Sequence, residues 1–257
     1  MSGRASKHIV SKWLKTIAIR KDAKVRSLVP DTRKLSIGTL RAMLARYGMV
    51  YVKPSSGTFG IGVMRVERTA SGYAYQTGMK KRSFHSVDSL YRSISRHKRK
   101  RNYLVQKGIH LLKYRGRRFD IRVMVQRDSR RRWETTGIIG RVAYPGKVVT
   151  NYHSGGKPTD VRVLLAPLSS EGRRARIVAR LSRVGYDAAA ALARAYPRID
   201  MVGADIGLDA SFRPWIIELN TRPDPYLFRH LKDKRTHYKV LRYARALGRV
   251  PRARKRR

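Results

Sequence analysis

The chain has 257 residues and 42% apolar content, which favours one large or two small folded domains over a disordered basic tail. Its 60 Lys and Arg against 16 Asp and Glu give a formal charge of +44, which favours partners such as nucleic acid, acidic lipid, acidic polypeptides and nucleotides. The absence of cysteine excludes disulfides and thiolate metal sites, and neither a secretory signal nor an apolar stretch of about 20 residues is present, so we expect a soluble intracellular protein.

The spacing of apolar residues predicts an α+β fold. The first half is predicted to contain, in order, helices at 6–20 and 36–47, strands at 49–53, 63–67 and 73–77, and a helix at 86–96. Ser36 is a suitable cap for the second helix. The second half is predicted to contain strands at 103–109, 119–126, 133–144 and 148–153, helices at 171–182 and 186–195 that could form one broken helix, strands at 203–208 and 214–220, and a helix at 228–247.

The segment YVKPSSGTFGIGVMRV at residues 51–66 places Lys53 before a loop with three glycines. Dinucleotide and P-loop glycines open a helix, whereas here a strand resumes, so we predict a hairpin tip. Glycines let backbone N–H groups approach phosphate oxygens, and hydroxyls add donors. The predicted phosphate-binding residues are Lys53, Ser55, Ser56, Gly57, Thr58, Gly60 and Gly62. The loop alone leaves open a flexible hairpin with an incidental lysine.

A second hairpin is predicted over residues 203–224. A turn that pairs Ala210 with Arg213 would place Asp205 opposite Glu218, with Cβ atoms about 5 Å apart. Period-two alternation is expected to put the following residues on opposite faces: Trp215, Ile217 and Leu219 on one, and Ile216, Glu218 and Asn220 on the other.

Facing carboxylates repel each other unless a cation lies between them. Asp205, Glu218 and Asn220 together offer hard oxygen ligands, which predicts a Mg²⁺ site completed by phosphate and water. The alternative is that arginines neutralise these acids in ordinary salt bridges, which explains Asn220 poorly.

Arginines and one histidine lie between the two hairpins in the sequence. Asp120 and Arg122 share one face of the 119–126 strand, Arg141 follows on the next strand, and NYHSGG supplies Asn151 and His153. Arginine suits a phosphoryl group because its planar fork is always charged. Any one of these residues alone is more readily explained as structural or solvated, so the prediction rests on their joint order.

Taken in order, these features resemble the ATP-grasp superfamily: a strand lysine, a glycine-rich hairpin, an adenine-side strand, a D-x-R strand, an R…N-x-H-x-G-G stretch and a D…E-x-N metal hairpin. The phrases LVPDT, VYVKPSSGTFGIGV and IIELNTRPDPY are most similar to the endospore coat-associated ATP-grasp proteins of the YheC/YheD type. The resemblance covers roughly residues 8–247.

The resemblance implies an ATP-grasp fold, in which two α+β subdomains clasp a nucleotide. It implies the following division: a helical segment at 1–48, a subdomain with the glycine-rich hairpin at 49–106, a catalytic subdomain with the metal hairpin at 107–247, and a basic tail at 248–257. The nucleotide-binding residues would be Lys12, Lys53, the loop residues above, Asn151, His153, and Val105, Gln106, Lys107 and Ile109, whose backbone would line the adenine. Asp205, Glu218 and Asn220 would hold Mg²⁺ or Mn²⁺, and Arg122 and Arg141 would stabilise the transferring phosphoryl group.

The function implied by the resemblance is an ATP-dependent carboxylate–amine ligase that works through an acyl phosphate, in the cytoplasm or on the spore, with substrates unknown beyond ATP. The charge favours an alternative, a non-catalytic spore protein that binds polyanions. A sequence-specific nucleic-acid binder is a third hypothesis, but the sequence has no zinc-finger or RRM motif. The basic clusters at 97–101, 127–132, 173–176 and 251–257 are expected on the outer surface, available to an acidic polymer or acidic protein.

Overall fold

The computed structural model describes residues 8–98, 101–167 and 170–251. The first half contains α1 (Lys12–Arg20), β1 (Thr32–Lys34), α2 (Ile37–Tyr47), β2 (Met49–Pro54), β3 (Met64–Thr69), β4 (Gly72–Thr77), β5 (Lys80–Phe84), α3 (Val87–His97) and β6 (Tyr103–Lys107). The second half contains β7 (Lys113–Tyr114), β8 (Arg117–Arg127), β9 (Trp133–Val142), β10 (Lys157–Thr159), α4 (Val161–Leu164), α5 (Glu171–Ala195), β11 (Met201–Leu208), β12 (Pro214–Asn220) and α6 (Arg235–Ala246). Short 3-10 turns occupy Arg26–Leu28, Tyr152–Ser154 and Pro225–His230.

Within the described residues, the strands form two antiparallel sheets. The first has the order β1-β6-β2-β3-β4-β5 and is covered by α2 and α3. Its core holds buried apolar side chains from both layers, including Leu40, Val52, Leu90 and Val105. Ser36 caps α2 as predicted, because its side chain accepts from the Thr39 N–H while its own backbone N–H donates to Thr39 Oγ1.

The second sheet has the order β10-β9-β8-β11-β12, with β7 paired to β8. Strand alternation divides β8 between two faces: Ile121, Val123 and Val125 enter a core with α1 and α5, whereas Met124 enters another with α6. Asp120 and Arg122 share the Met124 face, further along the strand. This face turns toward the first sheet and carries the candidate site.

Residues before β2 contribute to both halves of the molecule. Ile19 of α1 packs in the core of the second sheet, whereas Leu40 of α2 packs in the core of the first. The strand β1 also joins the first sheet beside β6. The division at residues 48, 106 and 247 stays a prediction, but the described part of 1–48 has no core of its own.

Three predicted elements differ from the structure near glycines, caps and prolines. The helix predicted at 6–20 begins at Lys12, because Ser11 caps it; residues 6 and 7 lie outside the described residues. The strand predicted at 148–153 is wrong. Asn151 instead caps a 3-10 turn that Gly155 ends at a φ of 87°, and β10 follows. The helix predicted at 228–247 is preceded by a separate 3-10 turn that Asp224 caps, and α6 begins only at Arg235.

The segments predicted as two helices or one broken helix form one continuous helix, α5. Gly185 lies in its middle, and a Cβ there would come within 2.5 Å of Val123 Cγ1. The glycine therefore lets the helix pack closely on the sheet and does not break it.

Strands β1, β5, β7 and β10 and the short helix α4 are not predicted from the sequence. The residues of β5, KKRSF, are almost all exposed and show no apolar alternation. This strand lies at the edge of the first sheet, where lysines protect unpaired backbone groups from other chains. Among the described residues, no helix has the length and apolar character needed to cross a membrane.

Candidate active site

A cavity of about 630 Å³ lies between the two sheets and holds most of the predicted site. Its walls come from the loop between β2 and β3, from β8 and β9, and from the β11–β12 hairpin. A smaller lobe of about 130 Å³ extends toward β6. The predicted residues that line these two spaces are Lys12, Lys53, Ser56, Gly57, Thr58, Gly60, Gln106, Ile109, Arg122, Arg141, Asn151, His153, Asp205, Glu218 and Asn220.

Lys53 is held by an uncharged partner. Its ammonium donates to Gln106 Oε1 at 2.8 Å and to the Ile217 carbonyl at 3.2 Å. Gln106 Nε2 in turn donates to Thr32 Oγ1 at 3.0 Å, which fixes the orientation of the amide. Burial lowers the pKa of Lys53 to about 8, although the nearby Glu218 carboxylate opposes this effect. Lys53 is thus positioned in the cavity without being neutralised by the residue that holds it.

Lys12 joins the glycine-rich loop to the metal hairpin. Its Nζ donates to the Gly57 carbonyl at 2.8 Å and to Glu218 Oε1 at 2.5 Å. Lys15 lies one turn later on the same face of α1 and is only 4% exposed. Burial lowers the pKa of Lys15 to about 8, against the raising effect of Glu218. The helix α1 therefore places two lysines, Lys12 and Lys15, beside Glu218.

Buried arginine–carboxylate pairs form the floor of the cavity. Arg122 Nε donates to Asp205 Oδ1 at 2.5 Å, and Arg141 Nε donates to Asp120 Oδ1 at 2.8 Å. Arg141 Nη2 also lies 3.0 Å from Asp205 Oδ2, so the two pairs form one network. Burial alone would raise the pKa of Asp205, but the guanidiniums of Arg122 and Arg141 outweigh it and lower the pKa to about 2.

The predicted pairing of Asp205 with Glu218 is confirmed, although the predicted turn is wrong. The strands pair Leu208 with Pro214, one residue out of step with a turn that joins Ala210 to Arg213. A β-bulge at Ile217 restores the register, so that Asp205 still faces Glu218.

Because of this bulge, the residues of β12 are divided between the two faces of the strand differently from the prediction. Ile216 and Leu219 both enter the core, whereas Ile217 and Glu218 both line the smaller lobe. Strict alternation would have separated Ile217 from Glu218. The extra residue therefore turns Glu218 toward the cavity without exposing Leu219.

The predicted metal ligands lie together on this hairpin. Asp205 and Glu218 are register partners, and Asn220 Nδ2 donates to Asp205 Oδ2 at 3.3 Å. Within the described residues, no group of three or more His, Asp and Glu side chains is arranged as a metal centre. The salt bridges of the alternative interpretation are present, because Lys12 and the two arginines contact the acids. Two carboxylates and an amide oxygen still fit Mg²⁺, which completes its shell from phosphate and water.

Cations outnumber acids around this hairpin. Asp120, Asp205 and Glu218 are surrounded by five cationic side chains, those of Lys12, Lys15, Lys53, Arg122 and Arg141. Burial raises the pKa of Glu218, but the three lysines outweigh it and lower that pKa. Since a buried charge without a counter-charge is costly, the excess positive charge is suited to an anionic ligand such as a metal–triphosphate complex.

The tip of the glycine-rich loop touches the segment after β9. The ring centroids of Phe59 and His153 lie 4.2 Å apart, and Ser154 Oγ donates to the Phe59 carbonyl at 2.6 Å. Gly60 has a φ of 71°, and a Cβ there would come within 3.1 Å of Val149. The loop thus closes over the cavity against Asn151 and His153, and the hairpin prediction for this loop is confirmed.

Four predicted nucleotide-binding residues do not line the cavity. Val105 is fully buried in the core of the first sheet, and β6 pairs with strands on both sides, so its backbone at Val105 is already engaged. The Lys107 backbone N–H donates to the Asp31 backbone carbonyl, and the Lys107 ammonium lies 4.6 Å from the centre of the Trp215 ring. Ser55 lies against Ser11, and Gly62 packs against Tyr103.

Several cavity residues are not predicted from the sequence. His8 and Arg222 line the large cavity, Lys15 stands behind Glu218, and Thr32 orients Gln106. Lys15 could have been found from its i, i+3 spacing to Lys12. The others carry no local signal, because Thr221 positions His8 from across the chain, with its Oγ1 3.0 Å from His8 Nδ1.

Known proteins of the same fold were found both by sequence and by structure. The chain is 24% identical to the endospore coat-associated protein YheD of Bacillus subtilis (strain 168) over 232 aligned residues. The alignment covers 88% of this chain and 51% of YheD, so the chain spans about half the length of this curated relative.

Two solved structures show the fold alone. The D-cycloserine synthetase DcsG superposes with a TM-score of 0.55 at 17% identity, over 93% of this chain and 70% of that one. An Aspergillus clavatus N5-carboxyaminoimidazole synthase, solved with ADP and 5-aminoimidazole ribonucleotide, superposes with a TM-score of 0.54 at 12% identity, over 93% of this chain and 52% of that one. A family model described as YheC/D-like ATP-grasp matches residues 5–247, and the chain belongs to this ATP-grasp family.

Proposed function

We propose that the chain binds ATP with Mg²⁺ in the cavity between its sheets and acts as a carboxylate–amine ligase. The observation that carries this proposal is the excess of cations around the facing carboxylates Asp205 and Glu218. The fold supports it, since an ATP-grasp neighbour was solved with ADP and members of this fold include synthetases.

The cavity residues divide into roles by position. Lys12 and Lys53, at the loop end, would contact the phosphates, and Ile109 and Gln106 in the smaller lobe would lie near the adenine. Asp205, Glu218 and Asn220 would hold Mg²⁺, which when bound neutralises phosphate charge as a Lewis acid. Arg222 is exposed at the wall of the large cavity and is suited to a substrate carboxylate.

The reaction needs no side-chain nucleophile. A substrate carboxylate oxygen bonds to the γ-phosphorus while the bond to the β–γ bridging oxygen breaks, which yields an acyl phosphate and ADP. An amine then bonds to the acyl carbon, phosphate leaves, and the amine loses a proton to solvent.

Arg122 and Arg141 are placed to stabilise the transferring group. Each uses Nε and Nη2 on carboxylates, and in the described part of the chain neither Nη1 donates to a protein acceptor. Arginines fixed in this way stabilise developing phosphoryl charge without reorganising.

A hydroxylamine assay tests the ligase. The protein is incubated with MgATP, candidate acids and hydroxylamine, and hydroxamate and ADP are measured together. We expect both products with one acid. If ADP forms without hydroxamate for every acid, the chain hydrolyses ATP but is not a ligase for the acids tried.

Glu218→Gln tests the metal assignment, since glutamine keeps the shape but loses the charge opposite Asp205. We expect turnover to be abolished while the protein remains folded, as followed by circular dichroism. Glu67→Gln is the matched control, because Glu67 pairs with Arg65 on β3, outside the cavity. Wild-type turnover in Glu218→Gln would contradict the metal role, and unfolding would make Glu218 a structural partner of the lysines.

A second candidate function is a non-catalytic spore protein that retains the nucleotide site. It is favoured by the +44 charge and by the name of the relative YheD, an endospore coat-associated protein. A melting temperature raised by MgATP, together with no ADP and no hydroxamate, would favour this function. No thermal shift at millimolar MgATP would contradict nucleotide binding in both candidates.

A further inference from the structure

A second concave surface lies away from the nucleotide cavity, at the turn between β8 and β9 and the middle of α5. It encloses about 540 Å³ and is lined by Asp128, Arg131, Arg132, Trp133, Glu134 and Tyr186. We call it the arginine groove. It shares no lining residue with the candidate active site. Of the predicted basic clusters, 127–132 forms one wall and 173–176 lies further along α5, whereas residues 99, 100 and 252–257 lie outside the described residues.

An arginine lies against each of the two aromatic rings of the groove. The guanidinium of Arg127 lies 4.7 Å from the centre of the Trp133 ring, and that of Arg183 lies 5.7 Å from the centre of the Tyr186 ring. Tyr186 is 36% exposed, although it is a large aromatic residue on a helix. Trp133 is partly buried against the core of the second sheet, whereas Tyr186 is exposed and offers a ring on which a nucleic-acid base can stack beside a guanidinium group.

The acids in and beside the groove already have cationic partners. Asp128 pairs with Arg132 at 2.9 Å, Glu134 with Lys239 at 2.5 Å, and Asp187 with Arg183 at 2.9 Å. These carboxylates therefore do not neutralise the remaining arginines.

The remaining arginines form an exposed row. Within the described ranges, no carboxylate lies within ion-pair distance of Arg130, Arg131, Arg176 or Arg180. Arg176 and Arg180 lie one turn apart on the solvent side of α5, about 6 Å along the helix, and Arg183, which is paired with Asp187, follows at helical spacing. A strand of phosphates could follow this row while its bases reach Tyr186.

We propose that the arginine groove binds single-stranded nucleic acid without sequence preference. The positive charge alone would fit an acidic polypeptide equally well, but an acidic polypeptide has no bases that could stack on Tyr186. A duplex would supply phosphates, but its bases are stacked on one another and cannot reach a ring. A flexible single strand can use both features of this surface, because its bases can stack on the exposed ring of Tyr186 while its phosphates contact the unpaired arginines.

The test measures binding of a labelled 15-nucleotide thymidine strand by fluorescence anisotropy at about 0.05 M salt, with polyglutamate of equal charge as competitor. We expect Tyr186→Ala to weaken binding about tenfold and Tyr186→Phe to leave it within about twofold, because stacking needs the ring and not the hydroxyl. Tyr238→Ala is the matched control, since Tyr238 is 64% exposed on α6, outside the groove. It should have no effect.

A charge-reversal pair tests the row. Arg176→Glu with Arg180→Glu should weaken binding about a hundredfold and make the salt dependence shallower, since fewer phosphate contacts release counterions. The control, Lys80→Glu with Arg82→Glu on β5, changes the net charge equally at exposed positions in the other sheet, and should cost about threefold. Circular dichroism and melting temperature establish that each variant is folded.

Two outcomes would overturn the proposal. If polyglutamate competes as well as the strand does and Tyr186→Ala has no effect, the groove binds acidic protein instead. If both charge-reversal pairs weaken binding equally, binding is a property of the total charge and not of this groove. Neither outcome depends on whether ATP is bound or turned over.

Discussion

The nucleotide cavity and the arginine groove use the same residue types in opposite ways. In the cavity, Arg122 and Arg141 are almost fully buried and fixed by carboxylates on neighbouring strands. Beside the groove, further along α5, Arg176 and Arg180 are exposed, without a carboxylate partner in the described part of the chain. The difference shows that the cations behind the charge of +44 are of two kinds: buried cations that carboxylates hold in place, and exposed cations, such as Arg176 and Arg180, that no carboxylate holds among the described residues.

The largest effect should come from removing one acid of the buried network. Asp120→Asn leaves Arg141 with one carboxylate fewer in a water-poor site, so we expect the free energy of unfolding to fall by about 3 kcal/mol. Asp88→Asn is the surface control, because its pair with Arg41 is half exposed, and it should cost about 0.5 kcal/mol or less. Urea denaturation of both variants measures the difference. Equal losses would mean that the buried pair is no more important than a surface pair.

A smaller loss of stability is expected where the helix of the groove packs on the sheet of the cavity. In Gly185→Ala the new Cβ would lie 2.5 Å from Val123 Cγ1, and we expect a loss of about 2 kcal/mol from overpacking. Gly172→Ala, in the exposed first turn of the same helix, meets only Ser170 at 3.8 Å and should stabilise by about 0.5 kcal/mol. Thermal unfolding of both variants gives the comparison. A stabilising Gly185→Ala would show that the helix can move away from the sheet at little cost.

The two regions should also differ in their response to pH. Burial lowers the pKa of Lys15 and of Lys53 to about 8, and a bound triphosphate favours their charged forms. ATP binding must then take up protons above this pH, so its affinity should fall as the pH rises. We expect a loss of about tenfold between pH 7.5 and 9, which is about 1.4 kcal/mol, as measured by calorimetry.

The arginine groove provides the internal control for this profile. Its arginines stay charged throughout the range, so the affinity for a single strand should not change between pH 7.5 and 9. Lys15→Met should make the ATP profile shallower while leaving strand binding unchanged. A flat ATP profile in the wild type would mean that neither lysine senses the phosphates.

Local sequence signals predicted the elements whose cause is local. Ser36 and the apolar spacing after it identify α2, because a cap and a helical face are both encoded within a dozen residues. The order of Lys53, the glycines and the D…E-x-N hairpin indicated the family. Most of the predicted site residues line one cavity for the same reason: each lies on a strand or loop whose face is set by alternation.

Predictions failed where the deciding contact comes from elsewhere in the chain. Val105 is excluded from the cavity because β1, some 70 residues earlier, pairs with its strand. Gly185 looks like a helix breaker until the sheet beneath it is seen. The pairing of Asp205 with Glu218 was correct only because a bulge compensates for a turn of different length.

The family, the α+β class, the excess of positive charge and the order of the chemical groups could all be predicted from the amino-acid sequence, because each depends on residue identity and on short spacings. Which cations are neutralised depends instead on contacts between residues that are far apart in the chain. Lys12 and Glu218 are 206 positions apart yet within 2.5 Å, whereas Arg176 and Arg180, on the solvent side of a helix, have no such partner among the described residues. The physical reason is that the strength of a charge depends on its burial and on its neighbours in space, and folding sets both.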